Sequence, residues 1–272
     1  MATATVNYCV DGGKQLSLDM YEPRDGGAPH PLLIFVHGGS WAFGSSSLGE
    51  QSQLVQGVIH GVLGHGFAVA SLNYRLAPGD QWPAQIIDVR CAIRYLRATS
   101  AHWNVDPHRF AAMGNSAGAQ LVSLAALSDG QVPQWNTSEY SGQSGAVAAV
   151  VDCWGPIDLT AAGWSKTAVQ IGQIVFRISL GTQADTLSVA SPVSYVHAGE
   201  PPFLIIQGTS DQLVPPTQSS ELRDRLVAAG DVATLVDVSN AAHELRPAGG
   251  VISPTVNALT TQTVAFLVAA VG

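Results

Sequence analysis

Short apolar runs recur along the chain, each closed by glycine, proline or a polar turn. The run Leu32-Leu33-Ile34-Phe35-Val36 follows Pro31 and stops at Gly38-Gly39. Continuous apolar runs of this length are the mark of strands buried on both faces of a parallel sheet. Phe67–Asn73, Phe110–Met113, Val147–Val151, Phe203–Ile206 and Ala233–Val238 are read as further strands. Thr5–Val10 and Leu16–Tyr21, joined by Asp11-Gly12-Gly13-Lys14, predict a β-hairpin. Glycine and proline then punctuate a loop up to His30.

Between these runs the period changes. Ile86, Ile87, Ala92, Ile93 and Leu96 lie at helical spacing within Pro83–Ala101. Ala117–Leu127 reads as a small-residue helix, and Glu221–Ala229 and Asn257–Val271 as two more. Strands alternating with helices predict the α/β class, with a mostly parallel sheet covered on both faces. Ligands in such sheets bind at the carboxyl ends of the strands. Chemistry is therefore sought just after each run.

Composition narrows the function classes. Twelve basic residues, only two of them lysine, face 20 Asp and Glu, for a net charge of −8. Such a surface repels phosphate backbones and anionic lipid, so no nucleic-acid partner and no membrane attachment is expected. No apolar run reaches the roughly 18 residues of a membrane span. The first residues lack the basic and apolar regions of a signal peptide, so a cytoplasmic location is expected, unless a leader has been removed. Cys9, Cys91 and Cys153 are odd in number and widely spaced. They predict neither a disulfide framework nor a metal site. Cys9 and Cys91 are read as small core or half-buried residues.

Gly114-Asn115-Ser116-Ala117-Gly118 fits GxSxG, with a strand before it and a helix after it. A sharp turn there exposes Ser116 Oγ at a helix N-terminus, where developing negative charge is favoured. Taken alone, the same residues also fit a turn in which Ser116 only caps the helix. His37-Gly38-Gly39-Ser40-Trp41 follows the Leu32–Val36 strand and fits a loop supplying half of an oxyanion hole. The other half would be the N–H of Ala117. A serine nucleophile needs a base, and the base needs an orienting acid. Asp211 follows the Phe203–Ile206 strand and His243 follows Ala233–Val238, in the chain order Ser, Asp, His. His37 is read as a shaper of its loop. Asp158 is read as a helix cap, and His197 lies at the wrong end of the sheet.

These residues resemble the α/β-hydrolase superfamily over nearly the whole chain. The nearer likeness is to the bacterial distinct feruloyl esterase-like group, beside the hormone-sensitive-lipase-like carboxylesterases. It is carried by HGGSW at 37–41, NYRLAP at 73–78, PAQIID at 83–88, GNSAG at 114–118, ASPV at 190–193 and PFLIIQG at 202–208, running to Asp211. Two departures stand out: Ser40 replaces a third glycine, and Thr209 stands where the group often has Asp. The resemblance implies one α/β-hydrolase domain over 1–272, with an eight-stranded sheet and a small cap at 155–200. It implies Ser116 as nucleophile, His243 as base and acid, Asp211 as orienter, and the N–H groups of Gly39, Ser40 and Ala117 as oxyanion hole. It implies no metal and no cofactor. Trp41, Trp154 and Cys153 are expected around the acyl site. The implied activity is hydrolysis of short-acyl or aryl esters. An arylformamidase or amidase using the same triad, and a non-catalytic ligand-binding hydrolase fold, are the alternatives.

Overall fold

A computed structural model describes residues 2–23, 27 and 29–272. Much of the loop expected between Tyr21 and His30 lies outside the described residues. Among these residues eight strands form one sheet in the order β1-β2-β4-β3-β5-β6-β7-β8. They are β1 Ala4–Asp11, β2 Lys14–Tyr21, β3 His30–Val36, β4 Ala68–Leu72, β5 Val105–Asn115, β6 Ala149–Cys153, β7 Phe203–Gly208 and β8 Ala233–Val238. The first two pair antiparallel to each other, and β2 pairs antiparallel to β4. From β4 through β8 every pairing is parallel. This is the α/β-hydrolase fold.

Among the described residues seven α-helices cover the sheet: α1 Gln53–Gly64, α2 Ala84–Ala98, α3 Ala117–Leu127, α4 Lys166–Val175, α5 Asp185–Val189, α6 Pro216–Ala229 and α7 Val256–Val271. One hydrophobic core gathers residues of α2, α3, α4 and α6 on one face. A second gathers α1 and α7 on the other. Strands β3 to β7 lie between both layers, which is why their side chains are apolar whichever way they point.

Helix α1 is absent from the sequence reading because Gly57, Gly61 and Gly64 interrupt its apolar pattern. Two of these glycines make room for α7: a Cβ on Gly57 would meet Thr260, and one on Gly61 would meet Val264. Close helix packing outweighs the low helix propensity of glycine here. Helix α6 also begins five residues before the expected Glu221, because Pro216 suits a first helical position.

The cysteines require a correction. Cys9 and Cys91 are not free core residues; they form a disulfide between β1 and α2. Their separation of 82 residues fits no local motif, and only the packing of α2 against the hairpin brings them together. Both are buried, whereas Cys153 is free and buried.

The segment 155–200, set between β6 and β7, holds α4, α5 and a short turn. Within it Val175 and Phe176 are buried, while Ile174 points outward and is 47% exposed. No described helix is long and apolar enough to cross a membrane.

Candidate active site

Ser116 sits between β5 and α3 with φ 53° and ψ −120°. This is a strained conformation for a residue with a Cβ. The turn is sharp enough that a Cβ on Gly118 would run into the backbone oxygen of Val36. The residue types at 114–118 therefore follow from the close approach of α3 to β3.

His243 Nε2 lies 3.0 Å from Ser116 Oγ, and its Nδ1 lies 2.7 Å from Asp211 Oδ2. A carboxylate only accepts, so Nδ1 carries the proton and Nε2 is free to accept from the serine. The other oxygen of Asp211 accepts from the backbone N–H of Leu213 (2.8 Å) and Val214 (3.0 Å). Gln207 Nε2 donates to Asp211 Oδ2 at 3.3 Å, and Gln207 is itself held by Ser219 Oγ. Asp211 is thus fixed by four donors from β7, its loop and His243. Asp158 plays no part in this array and caps no helix; its carboxylate closes a turn with Thr160.

The loop after β3 runs through positive φ at Gly39, Ser40 and Trp41. Among the described residues, no protein acceptor takes the N–H of Gly39, Ser40 or Ala117. Gly38 N–H donates to Asn115 Oδ1 at 3.0 Å, which ties this loop to the Ser116 turn. His37 Nδ1–H donates to Gly38 O at 2.7 Å, and its ring stacks on Tyr74 at 4.4 Å. Burial holds the His37 pKa below its ordinary value. A neutral, hydrogen-bonded His37 shapes the loop, in line with the sequence reading.

A small cavity beside Ser116 is lined by Ser40, Trp41, Pro156, Trp164, Ala168, Ile171, Leu180, Leu213 and Val214. Its volume is about 20 Å³, room for about one water. Trp41 is fixed by its Nε1–H, which donates to Gln120 Oε1 at 2.9 Å, and by an edge contact with Phe176. Trp154 and Cys153 are not where the sequence reading put them. Both are buried in the core on the α1 and α7 side, and neither lines the cavity. The strand alternation of β6 turns the Cys153 side chain away from the site. Trp154 instead packs edge-on against His243, with ring centroids 6.5 Å apart. Sequence reasoning missed Gln120, Gln207 and Asn115. For Gln120 and Gln207 the signal was a polar residue in an otherwise apolar stretch of helix or strand; Asn115 stands at the end of β5, beside Ser116.

The sequence model of the BD-FAE family matches residues 18–226. The chain belongs to the BD-FAE family. It shares its fold with solved esterase structures. This BD-FAE chain is 31% identical over 215 residues to Esterase LipC of Mycobacterium tuberculosis, covering 78% of this chain and 52% of LipC. It is 32% identical over 237 residues to Esterase LipQ of the same organism, covering 85% of this chain and 55% of LipQ. The BD-FAE chain thus spans about half the length of these curated relatives. A solved structure described as a truncated carbohydrate esterase from gut microbiota superposes with a TM-score of 0.81 at 25% identity. That match covers 98% of this chain and 96% of the other.

Proposed function

We propose that this chain is a serine carboxylesterase acting on esters of small acyl groups. The observation that carries the proposal is the hydrogen-bonded series Ser116–His243–Asp211, with distances of 3.0 and 2.7 Å. Ser116 Oγ attacks the ester carbonyl carbon while His243 Nε2 takes its proton. Asp211 holds the imidazole in the accepting tautomer and stabilises the imidazolium. The carbonyl oxygen becomes an oxyanion, received by the N–H groups of Gly39, Ser40 and Ala117. As the C–O bond breaks, His243 returns the proton to the departing alcohol and leaves an acyl group on Ser116. Water, deprotonated by His243, then releases the acid and restores the serine.

The walls of Trp41, Trp164, Ile171 and Leu180 stand close to Ser116 and leave little depth beside it, which supports a small acyl group. The names of LipC and LipQ favour an esterase over an amidase or formamidase. Treatment with a fluorophosphonate and mass analysis of the peptides tests the reading. A single phosphonyl adduct on Ser116, with loss of ester hydrolysis, is the expected result. Absence of the adduct in folded protein would remove Ser116 as nucleophile. Rates on matched p-nitrophenyl acetate and p-nitroacetanilide separate ester from amide hydrolysis.

We also infer that the chain works in an oxidising compartment, against the cytoplasmic expectation. The support is the buried Cys9–Cys91 disulfide, since such bonds persist where thiols are not kept reduced. Protein isolated without reductant and then denatured should titrate as one free thiol, Cys153. Three thiols would return the cytoplasmic reading.

A further inference from the structure

Asp152 is a carboxylate the mechanism does not use, yet it lies fully buried on β6. It pairs with Gly114 of the nucleophile strand on one side and with Ile205 of β7 on the other. No cation pairs with it among the described residues. A buried unpaired carboxylate is costly, so its surroundings must favour it in another way.

Its two oxygens are divided between two elements. Oδ2 accepts from Ser123 Oγ at 2.7 Å, on α3, the helix that Ser116 opens. Oδ1 accepts from Gly155 N at 2.9 Å, three residues along its own chain. The carboxylate lies so close under Gly155 that a Cβ there would meet both oxygens at 2.7 and 2.8 Å. Between Asp152 and Gly155 the chain makes a corner, with Trp154 at φ 49°. That corner carries two contacts to the triad. Cys153 O accepts from Ser116 N at 2.8 Å, and Trp154 packs against the His243 ring.

We propose that Asp152 is a positioning residue for the reaction, one that touches neither substrate nor reacting atoms. By bonding α3 and the Gly155 backbone at once, it fixes the corner that holds the Ser116 backbone and backs His243. A left-handed tryptophan corner does not hold itself, because that conformation is disfavoured for a side chain of its size. Burial pushes Asp152 up to about 6, and its two hydrogen bonds pull the other way, so at neutral pH the carboxylate accepts from both partners. Misplacement of reacting groups by about 1 Å lowers rates by about 10²-fold. Loss of the bridge therefore acts on kcat rather than on substrate binding.

The proposal rests on the esterase reading, and the test separates the two. Phosphonylation of Ser116 by a fluorophosphonate is timed alongside kcat and KM on p-nitrophenyl acetate, for wild type, Asp152→Ala, Asp152→Asn and Ser123→Ala. Asp152→Ala is expected to lower kcat and the phosphonylation rate together by about 10–100-fold, with KM within about twofold. Asp152→Asn can still accept from Gly155 and donate to Ser123, so it recovers most of that loss. Ser123→Ala is expected to cost several-fold in both rates. A folded Asp152→Ala that is phosphonylated within about twofold of the wild-type rate overturns the proposal. Should Asp152→Ala not fold, Ser123→Ala alone decides by the same criterion. A wild-type protein that is not phosphonylated at all refutes the esterase reading instead.

Discussion

The carboxyl rim of the sheet and its hairpin edge handle backbone geometry in opposite ways. At the rim, Ser40, Trp41, Ser116, Trp154, Glu244 and Leu245 all hold positive φ. Each carries a side chain, and each such residue costs of order 1–3 kcal/mol. At the hairpin edge, the positive φ angles of the β1–β2 turn fall on Gly12 and Gly13, where the steric cost is absent. The edge also collects cross-links. Arg75 Nε and Nη2 both bond the buried carboxylate of Asp88, Arg75 Nη2 also reaches Asp11, and the Cys9–Cys91 disulfide ties β1 to α2. The rim holds strained residues where the chemistry is proposed. The edge carries constraints that stabilise the fold without touching the triad. Changes at the rim should therefore act on rate, and changes at the edge on stability.

The largest effect is expected at Ser116. Ser116→Ala should reduce kcat on p-nitrophenyl acetate by up to about 10⁶-fold, since triad members act as a unit, and should leave the thermal transition near wild type. Retention of more than a tenth of the activity in contaminant-free protein would move the nucleophile elsewhere. Asp211→Asn comes next, with an expected loss of about 10⁴-fold. An amide in place of Asp211 favours the wrong imidazole tautomer, although the donors from Leu213 and Val214 remain for its oxygen. A near-normal rate would show that another group orients His243.

The edge is probed by the disulfide. Replacing Cys9 and Cys91 with serine removes a cross-link spanning 82 residues. The unfolding free energy should fall by roughly 2–5 kcal/mol, with kcat unchanged below the new transition. Denaturant titration of the double variant, beside its kinetics, checks both halves. A stable but slow variant would mean that the edge and the rim are coupled.

What the sequence made legible follows the same division. Ser116, Asp211 and His243 stood at the ends of apolar runs, where parallel topology brings strand ends together, so order along the chain was enough to expect them side by side. The disulfide was not legible, because the two cysteines meet only through packing between a hairpin and a distant helix. Cys153 and Trp154 were near the right place and wrongly oriented. Sequence position put the end of β6 at the carboxyl rim, but facing depends on register, and a one-residue difference reverses it. Helix α1 was hidden because its glycines serve the contact with α7 instead of the helix itself.

Asp152 sharpens the comparison, since it is a rim residue with a stability cost. Its pKa is raised from 3.8 to about 6, mainly by burial. The folded protein therefore binds more protons than the unfolded chain between those values, and stability falls as pH rises through that window. The cost is absent well below 3.8 and complete above about 6. Asp152→Asn does not titrate. Its stability relative to wild type should thus increase by roughly 2 kcal/mol from about pH 4 to about pH 7, at about 1.4 kcal/mol per pH unit of pKa difference. The neighbouring titratable group is the Cys153 thiol, which burial and Asp152 both push up, so it stays neutral across this range. Denaturant melts of both proteins at several pH values measure the difference. A difference independent of pH would mean that Asp152 titrates in the folded protein as it does in the unfolded chain.

The smallest effect concerns acyl length, and it tests how tightly the 155–200 segment closes the rim. A pocket gains about 0.8 kcal/mol, roughly fourfold, for each CH₂ it buries, but only while there is wall to bury against. The cavity beside Ser116 is about 20 Å³, and Trp164, Ala168, Ile171 and Leu180 bound it from the 155–200 segment. On p-nitrophenyl esters, kcat/KM should peak between acetyl and butyryl and fall by octanoyl, since further methylenes must displace side chains or remain in water. Ile171→Ala or Leu180→Ala removes part of that wall, and each should move the optimum longer by one or two carbons. An octanoyl optimum in the wild type would show that this segment opens to form a deep apolar channel. An optimum that stays short in both variants would place the acyl group against Trp41 and Leu213, on the side of the cavity that the segment does not build.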